Sequence, residues 1–358
     1  MTATPDATTT PTTVRGGSPV SATEATTTST QPRAPEAAAS RRWSRARLEE
    51  LLIHNSMVLV LLLVLAYFSY ENSRFATLSN AETILIAAAP FALVALGQTL
   101  VILTGGIDLS VGSVIAVSAM TAAKLVVGHP DRLWLAAAAA AGVGLLCGLV
   151  NGLVISRLNV TPFVATLGML TAASGFAYVI GDGAPINGLP SEYGKIANTE
   201  YLGVRAPVFV MIVGFIVLGL VMKRTTWGLR VYAIGGNRTA AEVAGVNARL
   251  VLTSVYVLSG GLAGLSGVIL SSRVISGPPN LGTGYELDSI AAVVIGGASL
   301  MGGRGTVWGT LLGLLLIQTL NNGLDILIVP AYWQAVISGA LIVSAVAVDM
   351  WAVRRKSR

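Results

Sequence analysis

The sequence has 358 residues, of which 53% are hydrophobic and 11% are charged, and its mean hydropathy is +0.72. Because soluble domains carry about a quarter charged residues, this composition excludes an ordinary soluble domain and indicates a polytopic membrane protein. The net charge of +6 does not require a nucleic acid partner, since membrane proteins gain excess Lys and Arg by orienting their loops.

The first 40 residues are dominated by Thr, Ala, Pro and Ser and show no apolar period. Such a segment cannot bury enough surface to offset the entropy of ordering it, so we predict a disordered tail over 1–40. It contains no apolar core of a cleavable signal peptide, and we expect the first apolar run to stay as an uncleaved anchor. The basic stretch RRWSRAR at 41–47 precedes that run and should be held in the cytoplasm. We therefore predict a cytoplasmic tail followed by a membrane domain over 41–358.

Apolar runs of about 17 to 25 residues, the length that crosses a bilayer, recur along the rest of the chain. They predict an all-α, polytopic transmembrane bundle of about ten spans, of which the eighth is short. The spans are 51–70, 82–103, 111–127, 133–155, 162–180, 207–222, 251–271, 287–301, 305–323 and 333–353.

The distribution of Lys and Arg gives an independent check on this count. Of the 23 basic residues, seventeen fall on the predicted inside and six on the predicted outside. The six are Arg74, Lys124, Arg132, Lys195, Arg205 and Arg273. Because short cytoplasmic loops are enriched in Lys and Arg, we expect a multi-pass protein of the cell membrane with both termini cytoplasmic.

A break in the apolar pattern, LTGGIDLSVGS at 103–113, separates the second and third spans. Gly105 and Gly106 should end one helix, and Asp108 or Ser110 can cap the next. Backbone groups freed at membrane depth are tolerated only where protein or a water-filled cavity satisfies them, so these four residues are candidates for a translocation path. For Asp108 the alternative is a capped turn at the inner interface.

Polar side chains inside the spans are further candidates for the translocation path. They are Gln98, Asn151, Thr166, Gln318 and Asn321. Interhelical hydrogen bonds alone would also explain each of them. Glycines at four-residue spacing, such as Gly144, Gly148 and Gly152, indicate tight helix packing rather than a ligand site.

Two other segments between the apolar cores stand out. The longest predicted outer loop, 181–206, is rich in turn formers and is either a plain connection or a docking surface for an external binding protein. In the region 284–310, the pairs Gly296-Gly297 and Gly302-Gly303 predict a bend or re-entrant turn near the inner face.

The segment 223–250 is the only long, charged interruption between two apolar runs. Thr239 and Glu242 have the spacing of a capping box, which predicts that a short helix begins there. Gly245 could supply the left-handed residue that stops it. The resulting small-residue helix either fits a groove on another protein or lies on the membrane surface.

The run VYAIGGNRTAAEVAGVNA at 231–248 resembles the cytoplasmic loop of permease subunits from ribose-type ABC sugar importers. GGIDLSVG at 105–112 and the region 284–310 resemble the same family, and the likeness extends over about residues 51–351. It implies that the helix in 223–250 contacts an ABC ATPase. The coupling residues that it implies are Gly235, Gly236, Asn237, Thr239, Ala240, Ala241, Glu242, Ala244 and Gly245.

The sequence offers no catalytic chemistry. It has no G-x-x-x-x-G-K-[ST] phosphate loop, no Ser/His/Asp constellation and no paired carboxylates at membrane depth, so we predict a non-enzyme without cofactor. The single cysteine, Cys147, and the two histidines, His54 and His129, do not form a metal-ligand pattern.

We interpret the chain as the permease subunit of an ABC importer for a neutral monosaccharide or polyol. The resemblance implies ABC ATPase subunits in the cytoplasm, an extracytoplasmic sugar-binding protein, and a second permease that is a copy or a paralogue, all within a lipid bilayer. The spans contain almost no basic residue beyond Lys124, which favours a neutral ligand. The alternatives are a branched-chain amino-acid or nucleoside ABC permease, an ion-coupled secondary transporter, and a membrane scaffold.

Overall fold

The structure, a computed structural model, describes residues 56–201 and 203–356. The predicted tail over 1–40, the basic stretch at 41–47 and the first five residues of the predicted first span lie outside the described residues.

The described residues form 13 α-helices and one two-stranded antiparallel ladder, which confirms the predicted all-α class. In chain order the elements are α1 (Ser56–Glu71), α2 (Leu78–Leu103), α3 (Val111–Val126), a 3₁₀ turn (Pro130–Arg132), α4 (Leu133–Arg157), α5 (Pro162–Ile180), α6 (Ser191–Asn198), β1 (Glu200–Tyr201), β2 (Val204–Arg205), α7 (Ala206–Arg224), α8 (Thr226–Gly236), α9 (Arg238–Val243), α10 (Ala248–Val274), α11 (Tyr285–Ile295), α12 (Val307–Ile326) and α13 (Ala331–Lys356).

Each of the ten predicted spans contains one of these helices. Within the described part of the chain, α2, α4, α5, α7 and α10 are long and apolar enough to cross a membrane, and α1 and α3 are shorter apolar helices. The expectation of a helical eighth span over 287–301 is wrong, because α11 has only 11 residues. A helix of that length is about 16 Å long, roughly half of the bilayer core of about 30 Å. The predicted bend at Gly296-Gly297 is confirmed, since α11 ends there and Gly297 has φ +88°.

The centre of the bundle is α2, which is buried from Ala88 to Leu103 and is surrounded by α7, α10, α11 and α12. A helix that is apolar on every side suits this central position because none of its faces needs contact with water. By contrast, α5 is just as apolar but mostly exposed, with open side chains such as Phe163 and Phe176. The perimeter of the bundle therefore presents apolar surface to lipid or to another membrane subunit.

The glycine stripe of α4 packs against α10. A Cβ added at Gly144 would overlap the Gly260 backbone, and one at Gly148 would overlap the Tyr256 carbonyl oxygen. The prediction that Gly144, Gly148 and Gly152 mark tight packing is confirmed.

The bundle has two ends, which α10 connects. The first residues of α10 lie next to α9, and its last residues contact α6. We name the corresponding ends of the bundle the α9 end and the α6 end.

The helix α6 is attached to the end of α10 by hydrogen bonds. Ser272 Oγ donates to the Tyr193 carbonyl (2.6 Å) and accepts from the Ala197 N–H (3.0 Å). Burial raises the pKa of Tyr193 to about 12, and its hydroxyl forms a hydrogen bond of 2.6 Å with the Ser271 hydroxyl. The helix α6, within the predicted outer loop, is thus a cap fixed to the end of α10.

Candidate translocation and coupling sites

Residues 104–110, which we call the broken segment, join α2 to α3 and place a carboxylate inside the protein. Asp108 is 1% exposed. Its Oδ1 accepts hydrogen bonds from the Ser110 N–H (2.9 Å) and the Ser110 hydroxyl (2.6 Å), and its Oδ2 accepts from the Ser259 hydroxyl (3.1 Å). Three donors from two parts of the fold therefore hold one buried carboxylate.

Side chains from the surrounding helices complete this polar cluster. Asn151 of α4 donates to the Ser110 hydroxyl (3.0 Å), and Thr166 of α5 donates to the Ile107 carbonyl (3.3 Å). In the amide orientation that gives both of its polar atoms a partner, Gln98 donates to the Asp108 carbonyl (3.1 Å) and accepts from the Asp108 N–H (3.3 Å). The contacts from Thr166 and Gln98 pair backbone groups that a helix would otherwise have paired.

The structure brings together most of the polar residues that the sequence singled out for a translocation path, but not all of them. Gln98, Asp108, Ser110, Asn151 and Thr166 meet around the broken segment. Gln318 and Asn321 lie half-buried on α12, which packs on α1, α2, α7 and α11.

The expectation that Ser110 caps α3 is wrong. Ser110 is the N-cap residue by position, but its backbone is helical (φ −83°, ψ −10°) rather than extended, and its side chain makes no capping hydrogen bond. Ser259 is a member of the cluster that the sequence did not reveal. It stands in the small-residue run SGGLAGL of α10, where nothing distinguishes a serine used for packing from one aimed at a carboxylate.

Two cavities lie on either side of this cluster. One, of about 300 Å³, opens at the α9 end and is lined by the predicted Gly105 and Gly106 together with Tyr256 and Arg238. The other, of about 200 Å³, lies between α3, α5 and the start of α11, and we call it the α3–α11 cavity. By contrast, Gln98 is fully buried, so its amide faces protein rather than an open cavity.

The short helix α9 exists, but its predicted start is wrong. The cap is Asn237, whose side chain accepts from the Ala240 N–H (3.0 Å), so the helix begins at Arg238 rather than after Thr239. Glu242 forms an ion pair with Arg238 (3.0 Å) and does not act in a capping box.

The predicted left-handed stop of this helix is confirmed. Gly245 has φ +86°, its N–H donates to the Glu242 carbonyl, and the Val246 N–H donates to the Ala241 carbonyl. This is the Schellman arrangement of a helix end. Ala241 is 6% exposed and packs on the protein itself, whereas Ala240, Val243 and Ala244 face outward.

The end of α8 connects this segment to the interior. The Gly303 N–H donates to the Leu103 carbonyl (2.9 Å), and the Tyr232 hydroxyl donates to the Gly305 carbonyl (3.0 Å). A Cβ added at Gly235 would overlap both the Leu103 oxygen and the Gly303 nitrogen. The last turn of α8 is therefore packed between the end of α2 and the turn before α12, and Gly236, beside it, is exposed.

An apolar multi-pass bundle whose helices break around buried polar groups, with an ordered segment between helices at one end, has the architecture of a membrane transport permease. The chain belongs to the family described as branched-chain amino acid transport system permease components, whose model matches residues 80–346.

Curated relatives match most of the chain. A ribose import permease protein of Bacillus subtilis (strain 168) is 42% identical over 83% of this chain and 91% of its own length. The Escherichia coli (strain K12) ribose import permease protein is 40% identical over 83% and 94%. A D-allose transport system permease protein of Escherichia coli (strain K12) is 34% identical over 81% and 89%. The predicted resemblance to ribose-type permeases is confirmed. No solved structure matches the chain.

Proposed function

We propose that this chain is the membrane-spanning subunit of an ABC importer for a neutral monosaccharide such as ribose. The observation that carries the proposal is the 42% identity to a ribose import permease across most of both chains. Ribose and allose, the sugars named for the relatives, are both uncharged polyhydroxy compounds. In this proposal the subunit transports the sugar and catalyses no reaction, and a partner hydrolyses ATP.

The description of the family, which names branched-chain amino acids, gives a second candidate substrate class. An amino-acid carboxylate would be expected to meet a cation at its site. Lys124 lies in the last turn of α3 near the α6 end, and Arg157 and Arg273 lie in the last turns of α4 and α10. The hydroxyl and amide groups in the interior suit a neutral ligand better.

Substrate class is tested by uptake into proteoliposomes that contain the complete complex. We expect ATP-dependent accumulation of labelled ribose, or of xylose, galactose or inositol, and no accumulation of leucine. A neutral ligand needs only hydrogen-bonding groups, and a weak site suffices where a binding protein supplies affinity. Accumulation of leucine with none of the sugars or polyols would contradict the proposal.

The orientation we propose places the α9 end and both termini in the cytoplasm. Its support is the seventeen-to-six distribution of Lys and Arg. In this orientation α9 meets an ABC ATPase, and the α6 cap faces an extracytoplasmic sugar-binding protein. A second permease, a copy or a paralogue, would cover part of the apolar perimeter.

Replacing Ala244 with tryptophan should uncouple the permease from its ATPase. Ala244 is exposed on α9, and a docked partner cannot absorb an indole there without strain. We expect normal insertion, and at least a roughly ten-fold loss of transport and of co-purified ATPase. Leu158→Trp is the matched control, because Leu158 is 70% exposed at the same end but outside α9. Ala241→Trp is not diagnostic, since Ala241 is buried within the permease. Full transport by Ala244→Trp would show that α9 is not the coupling element.

A further inference from the structure

The chain before α11 enters the bundle without forming a helix. At the α6 end, Gly277 and Ile186 exchange backbone hydrogen bonds of 2.9 Å. A Cβ at Gly277 would contact Ala123 of α3, whereas one at Gly282 would contact Ile115 and the Gly112 carbonyl. The distance from Ala123 to Gly112 along α3 corresponds to about 16 Å. Residues 277–284, which we call the descending segment, therefore run from the α6 end deep into the bundle.

The first turns of α3 and α11 meet where the descending segment ends. A Cβ added at Gly112, the second residue of α3, would overlap the Glu286 carboxylate and the Gly282 carbonyl. Glu286 belongs to the first turn of α11, and its Oε1 accepts from the Gly284 N–H (3.2 Å). Two interrupted spans thus place their helix starts side by side inside the protein. In membrane transporters, irregular backbone at such depth is tolerated where it lines a cavity.

The α3–α11 cavity lies at this meeting point and has a volume of about 200 Å³, enough for one small ligand. Its polar lining combines hydroxyls, an amide and one carboxylate. These groups are Ser113, Ser174, Tyr178, Asn280, Thr283 and Glu286. The remaining wall is apolar and includes Leu170 and Leu281.

We propose that the α3–α11 cavity is the site through which the bundle passes its sugar, with Glu286 as the principal acceptor for sugar hydroxyls. The proposal rests on the proposed function as a neutral-sugar permease. A sugar hydroxyl both donates and accepts, so it can pair with the serine, threonine, tyrosine and asparagine groups of the wall. A carboxylate accepts hydroxyl protons in short, charge-assisted hydrogen bonds. The same negative charge disfavours anionic ligands such as sugar phosphates, which gives the site its selectivity.

In this proposal the polar cluster around Asp108 has a structural role and does not bind the sugar. Its groups are paired with one another, and it fixes the broken segment from which α3 begins. Gln98 and Asn151 position the cavity, while Ser174 and Glu286 contact the sugar.

Uptake by matched variants of the complete complex tests this assignment. Glu286→Gln keeps the shape of the side chain and its bond to Gly284 but loses the charge, so we expect the KM for sugar uptake to rise about ten-fold. Ser174→Leu fills the cavity and should reduce uptake at least as strongly. Gly168→Leu on the same helix is the control, because a Cβ at Gly168 meets nothing within 4 Å. We expect its uptake to match that of the wild type.

A second readout measures ligand contact without transport. In a Cys147→Ala background, Thr283→Cys should react with a thiol reagent more slowly when ribose or galactose is present, because Thr283 is exposed to the cavity. Ser191→Cys on α6 should react at the same rate with and without sugar.

The outcomes separate the two proposals. If the wild-type complex takes up no neutral sugar, the proposed function fails. If the wild type takes up sugar while Glu286→Gln and Ser174→Leu match it and sugar does not protect position 283, the cavity assignment is overturned.

Discussion

The Asp108→Ala variant is expected to lose transport and to unfold more readily in detergent. The change leaves the Ser110 N–H, the Ser110 hydroxyl and the Ser259 hydroxyl without their acceptor in a buried site. An unsatisfied buried donor costs about 1 to 3 kcal/mol, so we expect a loss of roughly 3 kcal/mol or more in the free energy of unfolding. The broken segment would also lose the group that sets where α3 begins.

The measurement is the thermal melting of the purified variant in detergent, followed by uptake in proteoliposomes. Asp131→Ala is the control, because Asp131 is an exposed carboxylate in the 3₁₀ turn and should have little effect. Asp108→Asn should be intermediate, since an amide keeps one oxygen acceptor but turns a donor toward Ser259. Unchanged melting and transport in Asp108→Ala would show that the cluster is not a structural requirement.

The helices of this bundle were predictable because each long apolar run in the sequence is a strong indication of a membrane-spanning helix. A run of about twenty apolar residues has few structural alternatives, and small residues at four-residue spacing identify close helix contacts such as Gly148 on Tyr256. The left-handed stop at Gly245 was predictable for a similar reason. A glycine just after a short helix is the residue that adopts positive φ at the least cost.

The start of α9 was not predictable from spacing, because two overlapping patterns compete. Thr239 with Glu242 fits a capping box, but Asn237 is a better N-cap and leaves Glu242 free to pair with Arg238 one turn earlier. The choice between these two caps depends on how Ala241 packs against the bundle, and the sequence does not show that packing.

The α3–α11 cavity escaped prediction for a different reason. Asn280 and Thr283 stand in a stretch of turn-forming residues that the sequence places between spans, and only the packing of that stretch beside α3 brings them to the cavity. The polar residues chosen from within spans, Gln98 and Asn151, are instead engaged by Asp108 and Ser110. A polar residue in an apolar run shows that a partner exists, but not whether the partner is protein or ligand.

Replacing Gly235 with alanine is expected to abolish coupled transport while leaving the subunit inserted. Gly235 lies in the last turn of α8, where an added Cβ overlaps the Leu103 oxygen and the Gly303 nitrogen, both backbone atoms that cannot rotate away. The methyl group must therefore push α8 away from the end of α2 or break the hydrogen bond between Gly303 and Leu103. Overpacking of this kind costs about 1 to 3 kcal/mol, more than the gain of up to about 1 kcal/mol from placing alanine in a helix.

The neighbouring Gly236→Ala variant provides the matched control for this test. Gly236 is in the same helix turn, but a Cβ there meets nothing within 4 Å, so only the favourable helix term remains. Although the resemblance implies a coupling role for Gly236, a methyl group there touches no other part of the permease, so melting in detergent should be unchanged or slightly improved in Gly236→Ala. In Gly235→Ala we expect a lower melting temperature and at least a roughly ten-fold loss of uptake, because α8 connects α9 to the end of α2. Equal uptake by the two variants would mean that movement of the α9 segment reaches the interior by another route.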